Sequence, residues 1–351
     1  MAELHLPAVD RRRFLFGTAA VGAGVLLAGC TSNDSDDGSN TATKVSADDN
    51  AKPGKNVTIG FSCPQADHGW IAAIAKNAAA QAKEYSDVTF EAVEPTNDVA
   101  KQIAAIETLI NKKVGVLVVL PNDGKQLTAV GRKAMDAGIP VVNLDRIFDT
   151  PLAYRIWIGG DNYGMGVSAG TYIGERLKGN TGAVIGEVAG IDSLPLTQDR
   201  SRGFKDALAR YGFKVSNRVA AQFTSSSGQQ VTSNLLQAAP KLDALWNHDD
   251  DQGIGVLAAI KQANRSEFFM VGGAGSADAM EAIKADNTVL KATVTYSPSM
   301  ASSAVSLARL IGQSKGMGDL VENEVPAQIT LASATITKEN VDDYLPLGFQ
   351  S

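Results

Sequence analysis

From Val57 onward, short β-branched runs alternate with stretches whose apolar residues recur at helical spacing, and this alternation constrains the fold more than any other feature of the chain. The runs Val57 to Phe61, Val88 to Val93, Gly115 to Leu120 and Pro140 to Leu144 are separated by Trp70 to Glu84, Asp98 to Asn111 and Gln126 to Asp136. In the second of these separators Ile103, Ile106, Leu109 and Ile110 share one helix face. Strand and helix in strict succession imply right-handed crossovers and a parallel sheet covered on both faces. The rhythm restarts after Asp161, with helices predicted over 163–177, 198–211, 229–238, 253–263 and 277–285 and strands over 183–188, 214–221, 244–246, 268–271 and 291–295. A length of 351 residues exceeds what one core usually holds. The expectation is an α/β protein of two Rossmann-like lobes with a cleft between them.

The chain opens differently. Arg11, Arg12 and Arg13 precede a Gly/Ala-rich apolar stretch from Phe14 to Gly29, shorter than the about 20 residues a membrane span needs. Arg11-Arg12-x-Phe14-Leu15 resembles a twin-arginine export motif, with Asp10 and Phe16 where that pattern more often has Ser/Thr and Lys. Leu27-Ala28-Gly29-Cys30 matches the bacterial lipobox, in which the cysteine becomes an acylated N-terminus. Residues 1–29 are therefore expected to be a lipoprotein signal peptide and Cys30 a membrane anchor on the outer face of the cytoplasmic membrane, exported by the twin-arginine or the general secretory route. Residues 30–55, rich in Ser, Asn, Asp, Gly and Thr, are expected to be a disordered tether. Cys63 is then the last free thiol and reads as a small apolar residue at a strand end.

Ligands of such sheets bind beyond the carboxyl ends of the strands. Those positions hold Gln65, Asp67, His68 and Trp70 after the first strand and Asp145 and Arg146 after the fourth. In the second unit they hold Gln198, Asp199 and Arg200, then Phe223, then His248, Asp249 and Asp250, and finally Tyr296. Flat aromatics beside planar donors and acceptors suit a polyhydroxylated ring, whose C–H faces stack and whose hydroxyls each need a donor and an acceptor. With 32 basic and 38 acidic residues the net charge is −6, so no basic surface is available on average for nucleic acid.

These residues carry a resemblance. From Val57 to the C-terminus the chain resembles the ribose-type periplasmic sugar-binding proteins, the type I substrate-binding subunits of bacterial ABC importers. The markers are Val141-Val142-Asn143-Leu144-Asp145-Arg146, the Gly160-Asp161-Asn162 crossing, Arg200-x-x-Gly203-Phe204, Phe223 with Asn234-Leu235-Leu236, and Asp250 to Gly255 opening a helix. The resemblance implies a monomer without cofactor that closes on a sugar about a three-segment hinge, crossing near 159–161, 296–298 and 328–330. The first lobe would comprise 56–159 and 297–328, the second 160–296 and 329–351. It implies that Asp145, Arg146 and Arg200 bind hydroxyls, that Trp70 and Phe223 stack on the ring, and that His68, Asp249 and Tyr296 complete the site. At Gly273-Ala274-Gly275 the family usually has a Gly-Phe-Asp sequence whose carboxylate holds a hydroxyl; here that acceptor is missing, and Asp249 is the neighbouring candidate for part of its role.

Several competing readings exist. Asp145 could cap a turn, Arg146 could be a solvated charge, and Trp70 could be a packing residue. His248-Asp249-Asp250-Asp251 could hold a metal, but no other histidine stands at ligand spacing. Gly166-Val167-Ser168-Ala169-Gly170 matches a nucleophile elbow, yet Ser168 falls two turns inside a predicted helix, which argues for helix packing and against an enzyme. A sugar-responsive regulator would need a helix-turn-helix that residues 31–55 cannot form. A sensor subunit that passes occupancy to a membrane kinase would use the same site as an importer subunit.

Overall fold

The computed structural model describes residues 50–320, 322 and 324–351. The arginine-rich leader, Cys30 and the tether up to residue 49 lie outside the described residues.

Two six-stranded sheets form. The first contains β1 (Val57–Ser62), β2 (Val88–Ala92), β3 (Val116–Val119), β4 (Val141–Leu144), β5 (Ile156–Gly160) and the late strand β11 (Gln328–Leu331), in the order β11-β5-β4-β3-β1-β2 with all neighbours parallel. The second contains β6 (Ile185–Ala189), β7 (Val215–Ala220), β8 (Ala244–Asn247), β9 (Phe269–Ala274), β10 (Leu290–Thr295) and β12 (Thr335–Thr337), in the order β12-β10-β9-β8-β6-β7, with β12 antiparallel to β10. The central strands β3 and β4 are buried at every position, as a parallel sheet with helices on both faces demands.

Helices α1 (Gly69–Lys83), α2 (Val99–Asn111) and α3 (Gly124–Asp136) connect the first strands, and α4 (Asn162–Arg176) opens the second half. That half continues with α5 (Pro195–Ala209), α6 (Ser225–Ala238), α7 (Asp250–Gln262) and α8 (Ala277–Ala285). Helix α9 (Met300–Gly312) then packs on α1 and over β3 and β4 of the first sheet, and the short α10 (Val341–Tyr344) packs on α8. Asp98, Asp123, Asp161, Asp249 and Ser276 each cap a helix by accepting from a backbone N–H of its first turn. Short polar loops between strand end and helix start thus leave little slack, which fixes where the next side chains project.

Two expectations change. Strand β11 pairs with β5 from Gln328↔Trp157 to Leu331↔Gly160, so residues 329–331 stay with the first sheet and the third crossing falls at 332–334. The four residues of β11 alternate between exposed and half-buried on a sheet edge, a pattern too short to announce itself in the sequence. Residues 50–55 are docked rather than disordered. Arg309 grips both oxygens of buried Asp87 at 2.7 and 2.6 Å, and its guanidinium also donates to the carbonyls of Asn50 and Lys52. Gly54 N–H and the Gln313 amide donate to the same carboxylate. A polar segment needs no apolar surface to order when a buried ion pair takes up its backbone groups. Cys63 is buried, and desolvation pushes its thiol up to about 12, which fits an inert packing role.

The bond to Arg309, together with the other donors, holds the Asp87 carboxyl well below the usual carboxylate range despite its burial. A depressed folded-state pKa stabilises the fold at all pH above the unfolded value and loses that contribution as pH falls through the acid range. Asp87→Ala is expected to cost about 3 kcal/mol and to lower the melting temperature at pH 7. The difference between variant and wild type should shrink as pH is lowered below about 4, where the unfolded carboxyl titrates. Thermal melts across pH check both.

Candidate functional site

Eight of the strand-end residues converge on one cavity between the sheets. His68, Trp70, Asp145 and Arg146 come from the first, and Arg200, Phe223, Asp249 and Tyr296 from the second. Two of them sit in left-handed backbone conformations at the ends of their strands, Asp145 at φ +60° and Phe223 at φ +62°. Asp tolerates this region; for a bulky Phe it is strained by roughly 1–3 kcal/mol. The Phe223 ring lines the cavity, where its centroid lies 6.2 Å from that of His68.

Tyr296, the first residue after β10, ties the groups together. Its hydroxyl donates to Asp145 and accepts from the Asn162 amide, while its carbonyl accepts from the Trp70 indole N–H at 2.8 Å. The Arg200 guanidinium lies 4.5 Å above the Tyr296 ring and 5.9 Å from the Phe223 ring centroid. Arg200 Nε donates to Asn162 at 2.9 Å and Nη1 to the His248 carbonyl at 3.1 Å, so its remaining edge is aimed by two fixed acceptors. Arg200 and Asp145 are 4% and 5% exposed, which makes any unpaired polar atom in the cleft costly.

Burial is the largest influence on the acids here. It pushes Asp145 up although Tyr296, Arg146 and Arg200 pull it down, and it pushes Asp249 up to about 6 with help from neighbouring Asp251. Burial also works against protonation of His68, but the hydrogen bond to Asp67 and the charges of Asp249 and Asp251 outweigh it and raise its pKa. Behind the cavity wall, His248 and Glu187 form a fully buried pair at 3.0 Å, and Ser201 also donates to Glu187. His248 is therefore a positioning group for the carbonyl that holds Arg200. Among the described residues no cluster of three or more metal-type ligands forms.

Three expected residues do not line the cavity. Gln198 is exposed and donates to the Asp192 carbonyl; two positions before Arg200 on α5, it lies about 200° around the helix. Gln65 is exposed in the loop after β1, and Asp67 is exposed there too, bonded to the His68 ring. Leu196 lines the cavity instead, and i,i+4 spacing from Arg200 was the signal for it. Arg146 is anchored outward as well, its Nη1 donating to the Asn122 carbonyl at 2.8 Å. The loop carrying Gly275, at φ +79°, is held by Asp250, which accepts from the N–H groups of Gly273, Gly275 and Ser276 and from the Thr293 hydroxyl. Asp250 thereby serves the β9–α8 corner, and Asp249 is the acid that reaches the cavity.

Ser168 lies inside α4, and its flanking glycines explain the motif. A Cβ on Gly166 would sit 2.0 Å from the Arg200 carbonyl and one on Gly170 2.7 Å from Ala207 Cβ, so both let α4 and α5 touch. Gly166→Ala is expected to destabilise the fold by about 1–3 kcal/mol by prising α5 and Arg200 away, whereas Ser168→Ala should leave it within about 0.5 kcal/mol. Urea titration of both variants measures the difference.

Over residues 59–315 the sequence matches the family described as periplasmic binding protein domain. It is 32% identical over 221 residues to the D-ribose/D-allose-binding protein of Pseudomonas aeruginosa, a match covering 61% of this chain and 69% of that protein. It is 28% identical over 246 residues to a ribose import binding protein of Bacillus subtilis, covering 70% and 78% of the two chains. Among solved structures, an ABC transporter solute binding protein from Bacillus halodurans superposes with a TM-score of 0.75 at 22% identity, over 83% of this chain and 98% of the other.

Proposed function

The chain belongs to the periplasmic binding protein family, and on that premise we propose that it captures a neutral monosaccharide or similar polyol outside the cytoplasmic membrane and delivers it to the permease subunits of an ABC importer. The observation that carries this reading is the convergence of Asp145, Arg146 and Arg200 with Trp70, Phe223 and Tyr296 on one cavity reached from both sheets. Paired charged donors and acceptors beside aromatic planes match ring hydroxyls and ring faces. A hydrogen bond to a charged group contributes roughly 1.5–3 kcal/mol, so a few of them with stacking reach the about 8 kcal/mol of micromolar binding. The relatives named above are a ribose/allose-binding protein and a ribose import binding protein, which supports a sugar and favours import over sensing.

The cavity measures about 30 Å³, room for water rather than for a sugar ring. Uptake therefore requires the lobes to part about the crossings beside Gly160, Tyr296 and residues 332–334, and the ligand to take over the Tyr296 bond to Asp145. A second contact across the cleft would report closure. Helix α1 receives no side-chain cap from His68; instead Asp251, at the start of α7, accepts from Trp70 N–H at 2.8 Å. Closing the lobes thus caps a helix of the first with a carboxylate of the second. Asp251→Ala should shift the equilibrium toward the open form and weaken sugar binding about 3- to 30-fold while every proposed ring-binding side chain is kept, read by calorimetry and by small-angle scattering of the unliganded and liganded protein.

Anchoring through Cys30 belongs to the same reading and rests on Leu27-Ala28-Gly29-Cys30. Detergent-phase partitioning of Cys30→Ala tests it independently of the sugar site. For the site itself, Arg200→Ala and Asp145→Ala are expected to lose roughly 2–5 kcal/mol of binding, about 30-fold to several thousand-fold in affinity, because each leaves its partners unpaired in a desolvated cleft. Ser168→Ala should bind normally. Wild-type affinity in both site variants, measured by calorimetry against D-ribose, D-allose and other pentoses, hexoses and inositols, would overturn the assignment.

A further inference from the structure

The small cavity is not the only space between the sheets. Adjoining it, and sharing Asp145, Arg146 and Leu196 as a common wall, lies an outer cavity of about 350 Å³. That volume alone falls in the range of small-molecule sites, about 300–1,000 Å³. It is bounded by the loop before α3, by the loop after β4, by the start of α5, and by Gly160, Gln328 and Thr330 next to the crossings. A hinge displaces groups in proportion to their distance from it, so space beside the crossings changes least when the lobes move.

Resting on the sugar-binding reading above, we propose that the ligand of this protein carries a substituent on its sugar ring and that the outer cavity is the subsite for it. Arg146 stands at the junction, its Nη1 occupied by the carbonyls of Asn122 and Pro121 while its Nε is buried without a partner. A buried guanidinium N–H left unpaired is costly, and an oxygen linking ring and substituent is an acceptor of the right kind for it. The wall also offers a rigid flat surface. Trp157 is buried with its indole N–H committed to the Asp145 carbonyl at 2.8 Å, and Tyr163, Leu194 and Pro195 add apolar area. The charge is lopsided, with five carboxylates, those of Asp123, Asp145, Asp149, Asp161 and Asp199, against Lys125 and Arg146. A phosphate or carboxylate would be repelled there; a neutral or amine-bearing ring is accepted. Within the class proposed above, the preferred ligand is accordingly a neutral sugar ring that carries a neutral or cationic substituent, bound more tightly than the free or phosphorylated sugar.

Calorimetry of the full chain with D-ribose and D-allose, their methyl and phenyl β-glycosides and their 1-phosphates tests this. The expected result is a glycoside bound at least 10-fold tighter than its parent sugar, with the 1-phosphate weaker than either. Ser193→Trp, an exposed loop position on the outer cavity alone, should abolish the glycoside's advantage and leave the parent sugar unchanged. Equal affinity for sugar and glycoside, preference for the phosphate, or a Ser193→Trp effect shared equally by both ligands would overturn the subsite while leaving the sugar-binding reading intact. Failure of every sugar and glycoside to bind would instead overturn that reading and this inference with it.

Discussion

Tyr296 is the residue through which the two lobes read each other. It follows the last parallel strand of the second sheet, yet its hydroxyl bonds Asp145 of the first, its carbonyl holds the Trp70 indole of the first, and its ring lies under Arg200 of the second. One neutral side chain thus meets a buried carboxylate with its hydroxyl and a buried guanidinium with its ring face. On the proposed reading a sugar hydroxyl would offer Asp145 the same donor, so exchange between Tyr296 and ligand would be close to balanced in hydrogen bonds, and stacking and displaced water would decide the sign.

The second layer behind these residues explains why they hold still. Asn162 accepts from Arg200 while donating to Tyr296, and the His248 carbonyl fixes the other arm of the guanidinium, with its own ring clamped by Glu187. The helix packing that the glycines of α4 permit brings Asn162 and Arg200 together in the first place. Side chains set on strand ends and helix starts and bonded in this way are held in fixed positions within each lobe.

Much of this was legible in the sequence because it is local. Alternating strand and helix patterns gave four of the six strands of the first sheet and five of the six of the second, without β5, β11 and β12, and the rule that ligands sit after strand ends gave eight residues of the cavity wall. The rest escapes a local reading for two reasons. Gln198 was picked with Arg200 from proximity in the chain, whereas helical geometry puts Leu196 and not Gln198 on the same face. The Asp87–Arg309 pair spans 222 residues, and it orders 50–55, a segment whose composition alone argues for disorder. Strand β11 is recognised by its partner β5, not by its four residues. Interactions that close over long sequence separations leave no local trace, and the Asp87–Arg309 pair and the β11–β5 pairing are of that kind.

The missing acid at Gly275 shows the same logic from the other side. With φ +79° the position accepts glycine readily and a side chain only under strain, and Asp250 uses the freed corner to collect three backbone N–H groups and a threonine hydroxyl. A Cβ on Gly275 would meet Thr295 Cγ2 at 3.3 Å and Met280 Cε at 3.7 Å, so a side chain there would crowd the end of β10 and helix α8. The absence of an acid at Gly275 is therefore a matter of backbone conformation and of the space left by Thr295 and Met280. It leaves Asp249 as the acid on that side of the cavity and makes Arg200, not a set of acids, the dominant polar group the second lobe presents to a ligand.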